Sequence, residues 1–159
     1  MKAKILRTLT TTAVLGMLCF SLATEAQAQR TPGSLGVGVQ IGQPSGLSLM
    51  YYRPSRMSYD FLTAWDLSDD FLFVNAHGLF ERHLGNDENL HAYFGPGVFV
   101  GFRDDADNNE ETVAGISGRV GLGYLFNRFE VYGQLTPRLA LTPDTDGDLG
   151  GGVGFRYFF

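Results

Sequence analysis

Thiols and ammonium groups are scarce in this chain, and both are confined to its start. The single cysteine is Cys19 and the only lysines are Lys2 and Lys4, so every later base is an arginine. Past residue 19 there is no disulfide and no thiolate chemistry. Long apolar runs are missing too, since the one near the N-terminus, about Thr12 to Ala23, falls short of the ~20 residues a spanning helix needs. No segment after it holds a helical period. A basic face is also lacking, because acids outnumber bases 17 to 12, and this argues against a nucleic-acid partner.

What is present at the N-terminus is an export pattern. Lys2, Lys4 and Arg7 precede the apolar run, and Ala26-Gln27-Ala28 supplies a small-x-small cleavage signature. The expected division is a cleaved signal peptide over 1–28, with Ala26 as the rival cleavage site, and one domain over 29–159. Cys19 does not read as a lipidation site, because bulky Leu18 precedes it inside the apolar run. Without the leader, nine arginines face sixteen acids, a net charge of −7.

The rest of the chain alternates. "SLGVGVQIG", "GLSLMYYR", "SYDFLTAWD", "LFVNAHGLFE", "HAYFGPGVFVGF", "AGISGRVGLGY", "FEVYGQLTPRLAL" and "GGVGFRYFF" each place apolar side chains at every second position. Alternate residues share one face of a strand, so each segment has an apolar face and a smaller or more polar one. Roughly ten-residue alternating segments between turn residues are the signature of transmembrane barrel strands. The expected fold is all-β: an eight-stranded antiparallel up-and-down transmembrane β-barrel following the signal peptide. Val153, Phe155, Tyr157 and Phe159 then form the lipid-facing stripe of a last strand that pairs with the first and leaves no edge.

Charge and aromatic placement agree with this layout. With both termini in the periplasm, the connections after segments one, three, five and seven lie outside, and they hold ten of the sixteen acids. The other connections hold Arg53, Arg56, Arg82 and Arg128. Tyr51, Tyr59, Phe80, Tyr124, Phe126, Phe129 and Tyr157 fall near the inner strand ends, with Trp65, Phe71 and Phe102 near the outer ones, as in interfacial girdles. Two features fit less well. "HLGNDENL" reads as a long inner turn, and Pro96 and Pro137 lie inside strands, where a bulge at each is the expected remedy.

Parity places Asp60, Asp66, Glu81 and Glu130 inside, together with Arg119, Arg138 and Arg156, and sets Arg103 at the rim. A nearly neutral ion-pair network is expected there, acting as a plug because an eight-stranded bore is already filled by side chains. His77 and His91 share the inner face without a third ligand at metal spacing. Ser48, Ser58 and Ser117 face inward without a nucleophile motif. No catalytic residue, cofactor or metal is assigned, and the chain is not expected to be an enzyme. "DTDGD", with Asp144, Asp146 and Asp148, and "DDADNNEE" resemble fragments of calcium loops but lack the distant glutamate. They read better as solvated acidic loops.

The stretches "GVGVQIGQPSGLSLMYY", "LFVNAHGLFE", "YFGPGVFVGF", "GRVGLGYLF", "VYGQLTPRLAL" and "GGGVGFRYFF" are similar to a family of small OmpA/OmpX-like eight-stranded bacterial outer-membrane barrels of unassigned function. Met50 stands where the family pattern has a lysine before the aromatic of the first hairpin. The tail resembles the C-terminal assembly signal of such barrels, which implies the barrel-assembly machinery as a partner and the outer membrane as the location. The expected role is structural or surface-interacting through acidic external loops. A narrow pore for ions or small solutes and a soluble secreted carrier of lipid or another ligand remain alternatives.

Overall fold

The computed structural model describes residues 30–66, 71–104 and 110–159; the leader and its cleavage site lie outside them, as does part of the acidic segments at 67–70 and 105–109. Eight strands follow one another: β1 (Leu35–Gln43), β2 (Gly46–Tyr51), β3 (Ser58–Asp66), β4 (Phe71–Leu84), β5 (Asp87–Asp104), β6 (Glu110–Phe126), β7 (Phe129–Thr142) and β8 (Asp146–Phe158). Each pairs antiparallel with its sequence neighbours, and β1 pairs with β8 from Gly36↔Phe158 to Gln43↔Gly151, closing the barrel. The tail is therefore paired on both sides, to β1 and to β7, and presents no free edge.

The alternation of the sequence becomes the two faces of the wall. Leu35, Val37, Val39, Phe94, Val98, Val120, Leu122, Val131, Val153 and Phe155 are all exposed on the outside. Their inward neighbours, such as Gln40, Ser48, Asp60, Asn75, His77, Arg119 and Glu130, are buried. Such an inverted surface is stable only where lipid covers it. Aromatic contacts cluster at the end that carries the termini: Phe80 meets Phe94 at 6.0 Å, Tyr124 meets Phe126 at 4.6 Å, and Phe129 meets Tyr157 at 4.9 Å between ring centres.

Two expectations change. "HLGNDENL" is not a long turn: β4 runs to Leu84 and β5 starts at Asp87, with Gly85 at φ 68° in the reversal and a register shift beside His83. The polar residues there continue the hairpin past the apolar alternation. Nor do the prolines sit on bulges. Pairing of β4 with β5 lapses between His77↔Gly97 and Phe80↔Phe94 and resumes in the same register, beside Pro96. The β6–β7 ladder does the same between Ser117↔Arg138 and Val120↔Leu135, beside Pro137. Each proline lacks a donor toward one neighbour only, and its other side stays paired, at Pro96↔Gly118 and Pro137↔Leu149. A closed wall held from both sides keeps its register across the gap.

Wall height is uneven. β5 and β6 have 18 and 17 residues, well beyond the ~9–11 of a membrane crossing, whereas β2 has 6. The long hairpin rises at the end opposite the termini, called here the loop end.

Candidate functional site in the bore

Inward glycines on some strands make room for large side chains on others. A Cβ on Gly154 would collide with the Tyr132 ring, and one on Gly123 would lie 2.5 Å from His91 Nε2 and 2.6 Å from Glu130 Oε1. The scattered glycines thus let a small bore hold a packed interior.

At its centre is an ion-pair network. Arg156 donates to Asp60 through Nη2, to Glu130 Oε2 at 3.2 Å and Met50 Sδ at 3.0 Å through Nη1, and to Ser48 Oγ at 2.8 Å through Nε. Its guanidinium lies 4.0 Å from the centre of the Tyr132 ring. Asp60 also accepts from Arg119, which reaches Asn75 Oδ1 at 3.1 Å. Asp60, Glu130 and Arg156 are each 0 % exposed. Two arginines and two carboxylates with further polar partners satisfy one another, as burial of charge requires. Met50 offers its sulfur to Arg156.

Toward the termini the network continues through His91 and Glu81, which parity places inside, and through Arg30, which the alternation did not pick out. His91 Nε2 lies 2.8 Å from Glu130 Oε1. Arg30, which precedes the first alternating segment, turns its side chain into the barrel end. It bridges to Glu81 Oε2 at 2.8 Å, approaches Glu130 at 3.7 Å, and stacks 4.1 Å from the Tyr52 ring centre and 5.1 Å from that of Phe158. Burial pushes the Tyr52 phenol pKa up, and the charge of Arg30 partly offsets this. Three arginines (Arg30, Arg119, Arg156) thus meet three carboxylates (Asp60, Glu81, Glu130) in this half. Toward the other end, Tyr93 donates to Gln134 Oε1, Gln134 to Gln40 Oε1, and Gln40 to the Pro44 carbonyl, at 3.0, 2.6 and 2.9 Å.

The remaining candidates fall elsewhere. Arg138 is not in the central network; it pairs with Asp148 near the loop end. Asp66 pairs by backbone with Phe71 at the end of β3, and its side chain lies outside the described residues. His77 and His91 are on adjacent strands but have separate partners. His77 Nε2 is 2.9 Å from Ser117 Oγ, while its Nδ1 has no partner among the described residues, so none of their carboxylates orients this ring and the nucleophile–base–orienter arrangement is incomplete among them. Among the described residues no group of three acidic, histidine or cysteine side chains is placed to hold a metal. Of the calcium-loop candidates Asp144, Asp146 and Asp148, the last is engaged by Arg138.

Above the network the bore opens. A cavity of about 690 Å³ at the loop end is walled by Ala64, Phe73, Phe99, Val113 and Ala140, with Arg138, Asp146, Asp148 and the β1–β2 turn around it. Phe73 and Phe99 stack at 5.7 Å between ring centres, and Arg138 lies 5.1 Å from the Phe73 centre.

No family model and no curated protein matches the sequence. Solved structures do. The N-terminal β-barrel domain of Pseudomonas aeruginosa OprF aligns with a TM-score of 0.62 at 14 % identity, over 80 % of this chain and 98 % of that one. A designed transmembrane β-barrel aligns at 0.51 with 17 % identity, over 82 % and 99 %. Neisserial surface protein A aligns at 0.46 with 13 % identity, over 79 % and 94 %. The likeness to the OprF N-terminal domain is one of fold: a closed eight-stranded antiparallel barrel with an apolar exterior, as an integral outer-membrane barrel requires.

Proposed function

We propose that this protein is a closed, non-conducting outer-membrane barrel that acts as a scaffold, presenting acidic loops on the outer surface. The observation that carries this reading is the Arg119–Asp60–Arg156–Glu130 network, whose members are buried across the middle of the bore. An ion crossing there has to displace paired charges in a space already filled by Tyr93, Tyr132, Met50 and Leu79. A pore reading needs a water path beside this network. Reconstitution in planar bilayers is expected to give no stepwise conductance, and regular steps from the purified protein contradict the scaffold reading.

Three further points belong to the same proposal. The barrel-assembly machinery recognises the β8 stripe of Val153, Phe155, Tyr157 and Phe159, and its polar replacement reduces assembly in cells. The leader over 1–28 is removed, which leaves Arg30 as the second residue of the mature chain and free to enter the barrel end; mass spectrometry of the exported protein reads the cleavage point. The protein has no catalytic role, a reading supported by the incomplete Ser117–His77 arrangement.

A further inference from the structure

We propose that the open cavity at the loop end is a binding site for a small organic cation with an aromatic or other apolar body. The size is right, since about 690 Å³ lies within the range of roughly 300–1,000 Å³ typical of small-molecule sites. The inner wall is apolar, with Phe73 and Phe99 stacked. An aromatic face attracts cations through its quadrupole, and Phe73 already holds the Arg138 guanidinium 5.1 Å from its centre.

The charge of the cavity sets the sign of the ligand. Arg138 is met by Asp148, so that pair is neutral. Asp146 stands two residues earlier on β8, opposite Ala140 and on the same inner face; it lines the cavity and has no ion-pair partner among the described residues. Among the described side chains the site thus carries one uncompensated negative charge above a floor of aromatic rings. The outer connections and the strand ends beside them, which hold ten of the sixteen acids after the leader, draw cations toward the mouth and repel anions. The filled bore beneath makes the cavity a dead end, but the proposal stands whether or not that bore conducts.

The test is a calorimetric titration of phenyltrimethylammonium chloride into the protein, purified from membranes in a non-ionic detergent, with benzenesulfonate as the anionic probe. The cation is expected to give saturable heat and the anion none. Asp146→Asn and Phe99→Leu are each expected to weaken cation binding about fivefold, the scale of one lost charge or ring contact. Boiled and unboiled gel samples report whether each variant is folded, and Asp146→Asn, at an exposed position, decides the matter alone if Phe99→Leu does not fold. The proposal is overturned if no saturable heat appears up to about 10 mM cation, if Asp146→Asn leaves the affinity unchanged, or if benzenesulfonate binds in preference.

Discussion

The two halves of the bore use the same residue types in opposite ways. Near the termini, arginines and carboxylates are fully enclosed and bonded to one another, and rings close over them. Near the loops, Arg138 and Asp148 pair at a boundary with water, the aspartate 59 % exposed, over an apolar hollow. The difference follows from packing. Inward glycines at 121, 123 and 154 let Tyr93, His91, Glu130 and Tyr132 fill the terminal half, whereas in the loop half Ala64, Ala140 and Val113 leave space that Phe73 and Phe99 do not fill. An arginine therefore acts as a structural brace in one half and as a rim charge in the other.

Substitutions can break this comparison, beginning with the largest effect. Arg156→Ala takes from the buried Asp60 and Glu130 the cation they share. A loss of about 3–5 kcal/mol is expected, the cost of removing one partner from a buried pair, read as a drop in the urea midpoint of the barrel in detergent. Arg30→Ala removes the bridge to Glu81 and the stacking on Tyr52, at the end of the barrel rather than its centre. The expected loss is about 1.5–3 kcal/mol, the range for hydrogen bonds to charged groups, by the same titration. Gly123→Ala sharpens the packing side of the comparison: its Cβ meets His91 and Glu130, and overpacking of this kind costs about 1–3 kcal/mol. Its thermal midpoint, followed by circular dichroism, should fall while Gly147→Ala, with open space around it, leaves the midpoint unchanged. Smallest of all is Arg138→Ala. Its pair is partly solvated, so less than about 1 kcal/mol is expected, and a loss as large as that of Arg156→Ala means the loop half is braced as the terminal half is.

The faces of the strands were readable from period two, because each residue has only two directions to point and lipid makes the outward one apolar. From Val37 and Val39 in β1 to Val153 and Phe155 in β8, that reasoning places side chains where the structure has them. Height along the bore was not readable. Parity puts Arg138 on the same face as Arg119 and Arg156, but the strand pairing sets it beside Asp148 rather than Asp60. Extents were misjudged wherever strands continue in polar residues, as at Asp87–Asn89 and Glu110–Thr112, since apolar alternation stops at the lipid boundary while backbone pairing does not. Arg30 had no signal at all, lying before the first alternating segment.

The contrast between a sealed half and an open half is tested most directly by thiol accessibility, which the absence of cysteine after Cys19 makes simple. In the chain beginning at Gln29, single substitutions Ala140→Cys in the cavity wall and Ser48→Cys beside Arg156 are refolded into vesicles and treated with a polar maleimide. Ala140→Cys is predicted to react in the folded barrel, and Ser48→Cys only after denaturation. Equal reaction of both in the folded state contradicts a sealed bore.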